Sequence, residues 1–338
     1  MHHKTGTSLR KRPRHRWFKT FLTPPLVAGL GWIAYSNLAI SHHMPLPPAV
    51  SGEQRIFQGK AGKLCAYMAG EGEGPPLLLI HSVNAAASAY EMRPLFEHYR
   101  QSRRVYALDL PGFGFSDRSK RSYTPRLMTD AVLDVLDLIA REAGPGPVDA
   151  VALSLGAEFL ARAANEAPDR FRTLALISPT GLRKGERRQG AAGTTLGNPL
   201  VQELFDFPLW SRPFFDLLNS RPSQRFFMSR AFSSYEALDQ DLMDYYYLTA
   251  HQPGAQNAPY AFVSGGLFSA DMDHVYHALT MPVWLGYGTR GEFSDVHTEK
   301  VATRRNWTIQ AFPTGAMPHF EQPESFIQAY EAFLQRES

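Results

Sequence analysis

The residues best placed to do chemistry lie in one stretch, Val148-Asp149-Ala150-Val151-Ala152-Leu153-Ser154-Leu155-Gly156-Ala157-Glu158-Phe159-Leu160-Ala161-Arg162. An apolar run reads as a strand and the next segment as a helix. Ser154 stands at the corner, with small residues two before it (Ala152) and two after it (Gly156). Small flanking residues are needed where strand and helix backbones nearly touch, and so sharp a corner pushes the serine oxygen into the open. The next N–H then sits at a positive helix N-terminus, where developing negative charge is stabilised. The chemistry this permits is attack by a hydroxyl, which needs a base, a group to orient the base, and N–H donors for an oxyanion. A plain strand-to-helix turn containing serine has the same local pattern, so the rest of the chain must carry the case.

Strands and helices alternate around that stretch. A strand-like pair spans Gln54 to Ala69, and the continuous apolar run Pro76-Leu77-Leu78-Leu79-Ile80 suits a strand buried on both faces. It ends at His81-Ser82-Val83-Asn84, and a helix is expected from Ala85 to Arg100. The strand Arg104–Leu108 runs into Asp109-Leu110-Pro111-Gly112-Phe113-Gly114-Phe115-Ser116-Asp117. Met128, Val132, Val135, Leu136 and Ile139 recur at helical spacing, and Leu174–Ser178 supplies another strand. This alternation predicts an α/β fold with a mainly parallel, doubly wound sheet flanked by helices. It stops between Pro179 and Thr280, a segment too long for a connection and rich in aromatic residues at helix-like intervals. Strands resume at Pro282–Gly288 and Trp307–Phe312, and an amphipathic helix, Glu324–Gln335, closes the chain.

The three landmarks come in the order found in the α/β-hydrolase superfamily: the turn at His81, the run from Asp109 to Arg118, and the corner at Ser154. From about residue 54 onward the chain resembles the members of that superfamily that carry a helical cap after the sixth strand. The resemblance implies a core over 54–178 and 281–338, with the cap over 179–280. It implies that Ser154 is a nucleophile for acyl transfer and that Leu155 and Val83 supply the oxyanion N–H groups. His81 would hold the oxyanion loop by hydrogen bonds.

Two expected partners are displaced. In the resembling proteins the catalytic histidine follows a glycine after the last strand, and here that position, after Gly315, is Ala316. His319 is the nearest candidate base, with a structural histidine as the other reading. The usual acid aligns near Gly291, leaving Glu292 or Asp295 as candidates or as solvated loop carboxylates. The sequence therefore supports two readings. One is a serine hydrolase cleaving an ester, thioester or related bond of a hydrophobic substrate. The other is a catalytically silent fold that binds an apolar ligand or a membrane partner. Cap residues including Phe205, Phe215, Phe226, Phe227, Tyr245 and Tyr246 supply either an apolar pocket or the cap's own core.

With 338 residues, 44% hydrophobic and 20% charged, the chain has the composition of a folded protein, and a net charge of +3 points to no nucleic-acid partner. Cys65 is its one cysteine, so no internal disulfide forms, and no metal or cofactor is expected. A basic tail (1–20) precedes the uncharged run Phe21–Ser41, which contains Leu26, Val27, Leu30, Trp32 and Ile33. This pattern predicts a retained single-pass membrane-anchor helix over 21–41 with a cytoplasmic N-terminus, followed by a linker over 42–53. A cleaved signal or an interfacial helix has the same outline. The cluster Arg183, Lys184, Arg187 and Arg188 reads as a solvated loop or a contact for lipid head groups.

Overall fold

The computed structural model describes residues 17–72, 74–183, 187–293 and 295–337. The chain divides into two compact units, Met1–Ile40 and Ser41–Ser338. In the first, the apolar run folds as helix α1 (Trp17–Ala39), and the tail before it lies outside the described residues. No helix among the described residues is long and apolar enough to cross a membrane, so the expected spanning helix over 21–41 is not supported. The reason is composition. The helix begins four residues early and takes in Lys19, while Pro24 and Pro25 fall in its interior and Ser36 and Asn37 near its end. Asn37 Nδ2 spends a hydrogen bond on Ile33 O within the helix (2.8 Å).

In the second unit, β1 (Glu53–Gly59), β2 (Gly62–Ala69), β3 (Leu77–Ile80), β4 (Val105–Asp109), β5 (Val148–Leu153), β6 (Phe171–Ile177), β7 (Val283–Gly288) and β8 (Trp307–Phe312) form one eight-stranded sheet. Its order is β1-β2-β4-β3-β5-β6-β7-β8. The hairpin β1–β2 adds antiparallel to β4, and every pairing from β4 to β8 is parallel.

The central strands β3, β4 and β5 are buried along their whole length, as strands covered by helices on both faces must be. Alternate residues of β5 serve opposite layers. Val148, Ala150 and Ala152 join the core that includes α3 (Pro125–Ala143) and α4 (Gly156–Glu166). Val151 and Leu153 join the other, with α2 (Arg93–Tyr99) and the C-terminal helix α12 (Pro323–Arg336). The expected helix from Ala85 starts later. Asn84 Oδ1 accepts the Ala86 N–H, which holds an open loop, and a short 3-10 turn, Ala89–Met92, then leads into α2.

Between β6 and β7 the chain forms α5 (Pro199–Asp206), α6 (Ser211–Leu218), α7 (Arg221–Ala231), α8 (Gln240–Ala250), α9 (Asn257–Val263) and α10 (Met272–Ala278). Their aromatic residues divide in two. Phe205 and Phe215 pack on Tyr260 as the interior of this layer, while Phe227 and Tyr246 face the cavity described below. In the basic cluster at its start, Lys184 lies outside the described residues. Arg188 is buried and paired with Glu158 of α4, so it holds this layer to the sheet instead of meeting solvent.

Candidate active site

The corner at Ser154 is built from backbone. β5 ends at Leu153, Ser154 adopts a positive φ of 52°, and α4 begins at Gly156. A left-handed residue with a side chain is costly and persists where surrounding structure enforces it. Here the Ser154 N–H donates to Ile177 O of β6 (2.8 Å), and Ala157 N–H donates back to Ser154 O (3.1 Å). At Gly156 a Cβ would sit 2.4 Å from His81 O, so only glycine lets α4 pass beneath the loop after β3. Ser154 Oγ makes no hydrogen bond to any described residue. The N–H groups of Val83 and Leu155 likewise donate to none of them.

The loop carrying Val83 is held from two sides. The Leu110 N–H donates to His81 Nε2 (2.9 Å), so the ring proton sits on Nδ1, which donates to Ser82 O (2.5 Å). Burial lowers the His81 pKa to about 3, and the ring is a neutral brace. From the other side, Glu91 Oε2 accepts the Ser82 N–H (2.8 Å). Its Oε1 accepts Asn84 Nδ2 (2.7 Å) and the hydroxyl of Tyr246 on α8 (2.6 Å). Burial raises the Glu91 pKa, against the pull of these donors. One carboxylate thus ties the loop to the cap layer.

A cavity of about 320 Å³ opens above the corner, lined by Ser154, Val83, Leu153, Phe227, Met228 and Phe262 among others. Its polar side chains include Asn84, Asn219, Gln224, Glu91 and Tyr246, and no basic side chain is among the described residues that line it.

A family model described as the alpha/beta hydrolase family matches residues 77–329. The chain belongs to the alpha/beta hydrolase family. Two curated relatives, the 2-hydroxymuconate semialdehyde hydrolases of Pseudomonas sp. (strain CF600) and Pseudomonas putida, are each 32% identical over 113 residues, or 33% of this chain. The match spans 38% and 39% of their own lengths. Among solved structures, a serine hydrolase involved in carbazole degradation covers 84% of this chain and 99% of its own at a TM-score of 0.65 and 17% identity. An enol-lactonase from Burkholderia xenovorans LB400 covers 83% and 100% at 0.63 and 16%. A membrane phospholipase A, a bacterial virulence factor, covers 95% and 97% at 0.64 and 19%. These likenesses establish the fold.

For an alpha/beta hydrolase the residues beyond Ser154 are unusually placed. Gly315 N–H donates to Glu321 Oε1 (2.7 Å) and Ala316 N–H to Ala231 O (2.7 Å), which fixes Ala316 and Met317 in the cavity wall. His319, in the single-turn helix α11 (Pro318–Glu321), is fully buried and is not among the residues that line the cavity. Its Nε2 donates to Glu91 O (2.8 Å), its Nδ1 meets no described partner, and burial lowers its pKa to about 4. Glu292 is exposed and pairs with Arg230 (3.2 Å), and exposed Asp295 pairs with His297 (3.0 Å). Neither lines the cavity. Ser154 and Val83 thus line one cavity, with Leu155 next to the serine in the chain, while His319, Glu292 and Asp295 are not among its lining residues and are bonded to Glu91 O, Arg230 and His297. Sequence reasoning missed Glu91 and Asn84. Within an expected helix Glu91 reads as a solvent-facing residue, and only a carboxylate among apolar neighbours, Ala89, Tyr90 and Met92, hinted otherwise.

Proposed function

We propose that this alpha/beta hydrolase family member binds a neutral, largely apolar carbonyl compound in the cavity above Ser154, without histidine-assisted acyl transfer. The observation that carries this reading is Ala316: the wall beside Ser154 holds a methyl group, and the imidazole nearest in sequence is committed to Glu91 O. Loss of a triad histidine costs roughly 10⁶ in turnover where it has been removed, and oxyanion donors and binding retain about 10³ to 10⁴ over water. A cavity with no basic lining side chain and one buried carboxyl disfavours anionic ligands, and its volume suits a small molecule. The N–H groups of Val83 and Leu155 would donate to the carbonyl oxygen.

A second reading, hydrolysis of a hydrophobic ester or thioester through Ser154, is favoured by the serine's φ of 52°, strain of the kind kept at functional sites. The relatives named above as hydrolases support it too. Native mass spectrometry of the purified chain, with fluorophosphonate labelling and turnover of nitrophenyl esters, separates the two. A stoichiometric apolar ligand with labelling no faster than in Ser154→Ala supports the first. Rapid labelling lost in Ser154→Ala, with ester turnover lost in His319→Ala, overturns it in favour of the second.

A further inference from the structure

Helix α7 gives one row of residues to the cavity. Gln224, Phe227, Met228 and Ala231 follow the i, i+3, i+4, i+7 spacing of a single helix face, and all four line the cavity. Three of them are apolar and one is an amide. Gln224 is also the one residue of α7 that is buried, at 7% exposure. A helix gains nothing from an amide at such a position, because taking it out of water costs free energy unless its polar atoms find partners.

A neighbouring side chain fixes which way this amide faces. Asn219, which follows α6 and is 1% exposed, donates from Nδ2 to Phe215 O (3.0 Å). Its Oδ1 is left to accept from Gln224 Nε2 (3.4 Å). Gln224 Oε1 is therefore turned away from Asn219, and it accepts no hydrogen bond from any described residue. The other amide and carboxylate oxygens of the lining are taken. Asn84 Oδ1 accepts the Ala86 N–H, Glu91 accepts the Ser82 N–H and the Tyr246 hydroxyl, and Asn219 accepts Gln224. Among the amide and carboxylate side chains that line the cavity, only Gln224 keeps an acceptor oxygen with no described donor.

We infer that Gln224 selects the ligand: the compound in the cavity carries a hydroxyl group that donates to Gln224 Oε1 from the cap side, while its carbonyl oxygen takes the N–H groups of Val83 and Leu155. This rests on the reading that a neutral carbonyl compound occupies the cavity. A hydroxyl supplies the missing donor without charge, whereas the carbonyl end of an amide repels an anion. A plain ketone or hydrocarbon would shut a buried acceptor away from water with nothing to bond it, and that loss is the basis of the selection.

The test titrates the full chain, by calorimetry, with straight-chain methyl ketones from hexanone to decanone. Each is paired with the chain whose last methyl group is replaced by a hydroxyl. The readout is the ratio of the two dissociation constants in wild type, Gln224→Met and Gln224→Leu. Comparing ratios removes the intrinsic difference in hydrophobicity between the paired compounds. At the chain length that reaches Gln224, both variants should shift the ratio roughly tenfold toward the methyl member. They should also bind that member at least as tightly as wild type, which a misfolded variant would not do. Ketone binding with the same ratio in all three proteins overturns the inference and leaves the reading of the cavity standing. Lower thermal stability of the ligand-free variants with an unchanged ratio also overturns it, and makes Gln224 a brace for Asn219. If no ketone of either kind binds wild type, the reading of the cavity itself is overturned, and this inference with it.

Discussion

His319 Nε2 donates to the main-chain oxygen of Glu91 across 2.8 Å, and the carboxylate of the same Glu91 accepts the Ser82 N–H at 2.8 Å. One residue therefore joins the loop after the last strand to the loop that carries Val83. The histidine acts on the geometry around Ser154 through Glu91, with its proton spent on a carbonyl.

The protonation of His319 should be visible in stability. Its folded pKa is lowered to about 4, whereas the unfolded chain has the ordinary value of 6.5. Above 6.5 neither state binds the proton. Below it the unfolded state does, so stability is lost as pH falls from 6.5 toward 4 and the effect levels off below that. By pH 5 this share is roughly 2 kcal/mol. Urea unfolding of wild type and His319→Gln at pH 7.5 and 5 should show the variant losing less by about that amount. Equal losses in both would refute the assignment. Buried Glu91, Asp109 and Glu158, whose pKa values are raised, act in the opposite sense in both proteins and cancel in the comparison.

Glu91→Gln should cost about 1 to 3 kcal/mol, because three groups, Ser82 N–H, Asn84 Nδ2 and Tyr246 OH, donate to the two carboxylate oxygens and an amide offers one oxygen. The loop and the cap helix α8 should loosen together. Hydrogen exchange over 82–86 and 240–250 reports this, and faster exchange in only one segment would show that the carboxylate does not couple them.

Installing the missing imidazole is a gain-of-function test. In Ala316→His the new ring enters the cavity wall beside Ser154. Fluorophosphonate labelling should accelerate on the order of tenfold or more, the lower range of general-base assistance without an orienting acid. Retention of an apolar ligand should fall as the ring occupies cavity space. Unchanged labelling would mean that Ser154 is not within reach of position 316.

The corner itself stores strain. Ser154→Gly should raise stability by about 1 kcal/mol, since glycine reaches a φ of 52° without the penalty. Gly156→Val should cost about 3 kcal/mol, because its Cβ would lie 2.4 Å from His81 O. Thermal unfolding measures both, and a destabilised Ser154→Gly would show that the hydroxyl, not the backbone, holds the turn.

Local pattern alone determined much of this protein. The apolar run Leu77–Ile80, the alternation of strand and helix, and the small residues Ala152 and Gly156 around Ser154 each express a preference of neighbouring residues, and those survive into the fold. The N-terminal helix was legible as a helix for the same reason, although its start at Trp17 brings Lys19 and two prolines into it. What only the tertiary structure decided is which distant loops converge. His319 meets Glu91 across 228 positions and Tyr246 meets it across 155. Whether an imidazole reaches Ser154 thus depends on loop paths set by packing. With alanine at 316 a methyl group stands in the wall, and His319, three residues on, makes its hydrogen bond to Glu91 O.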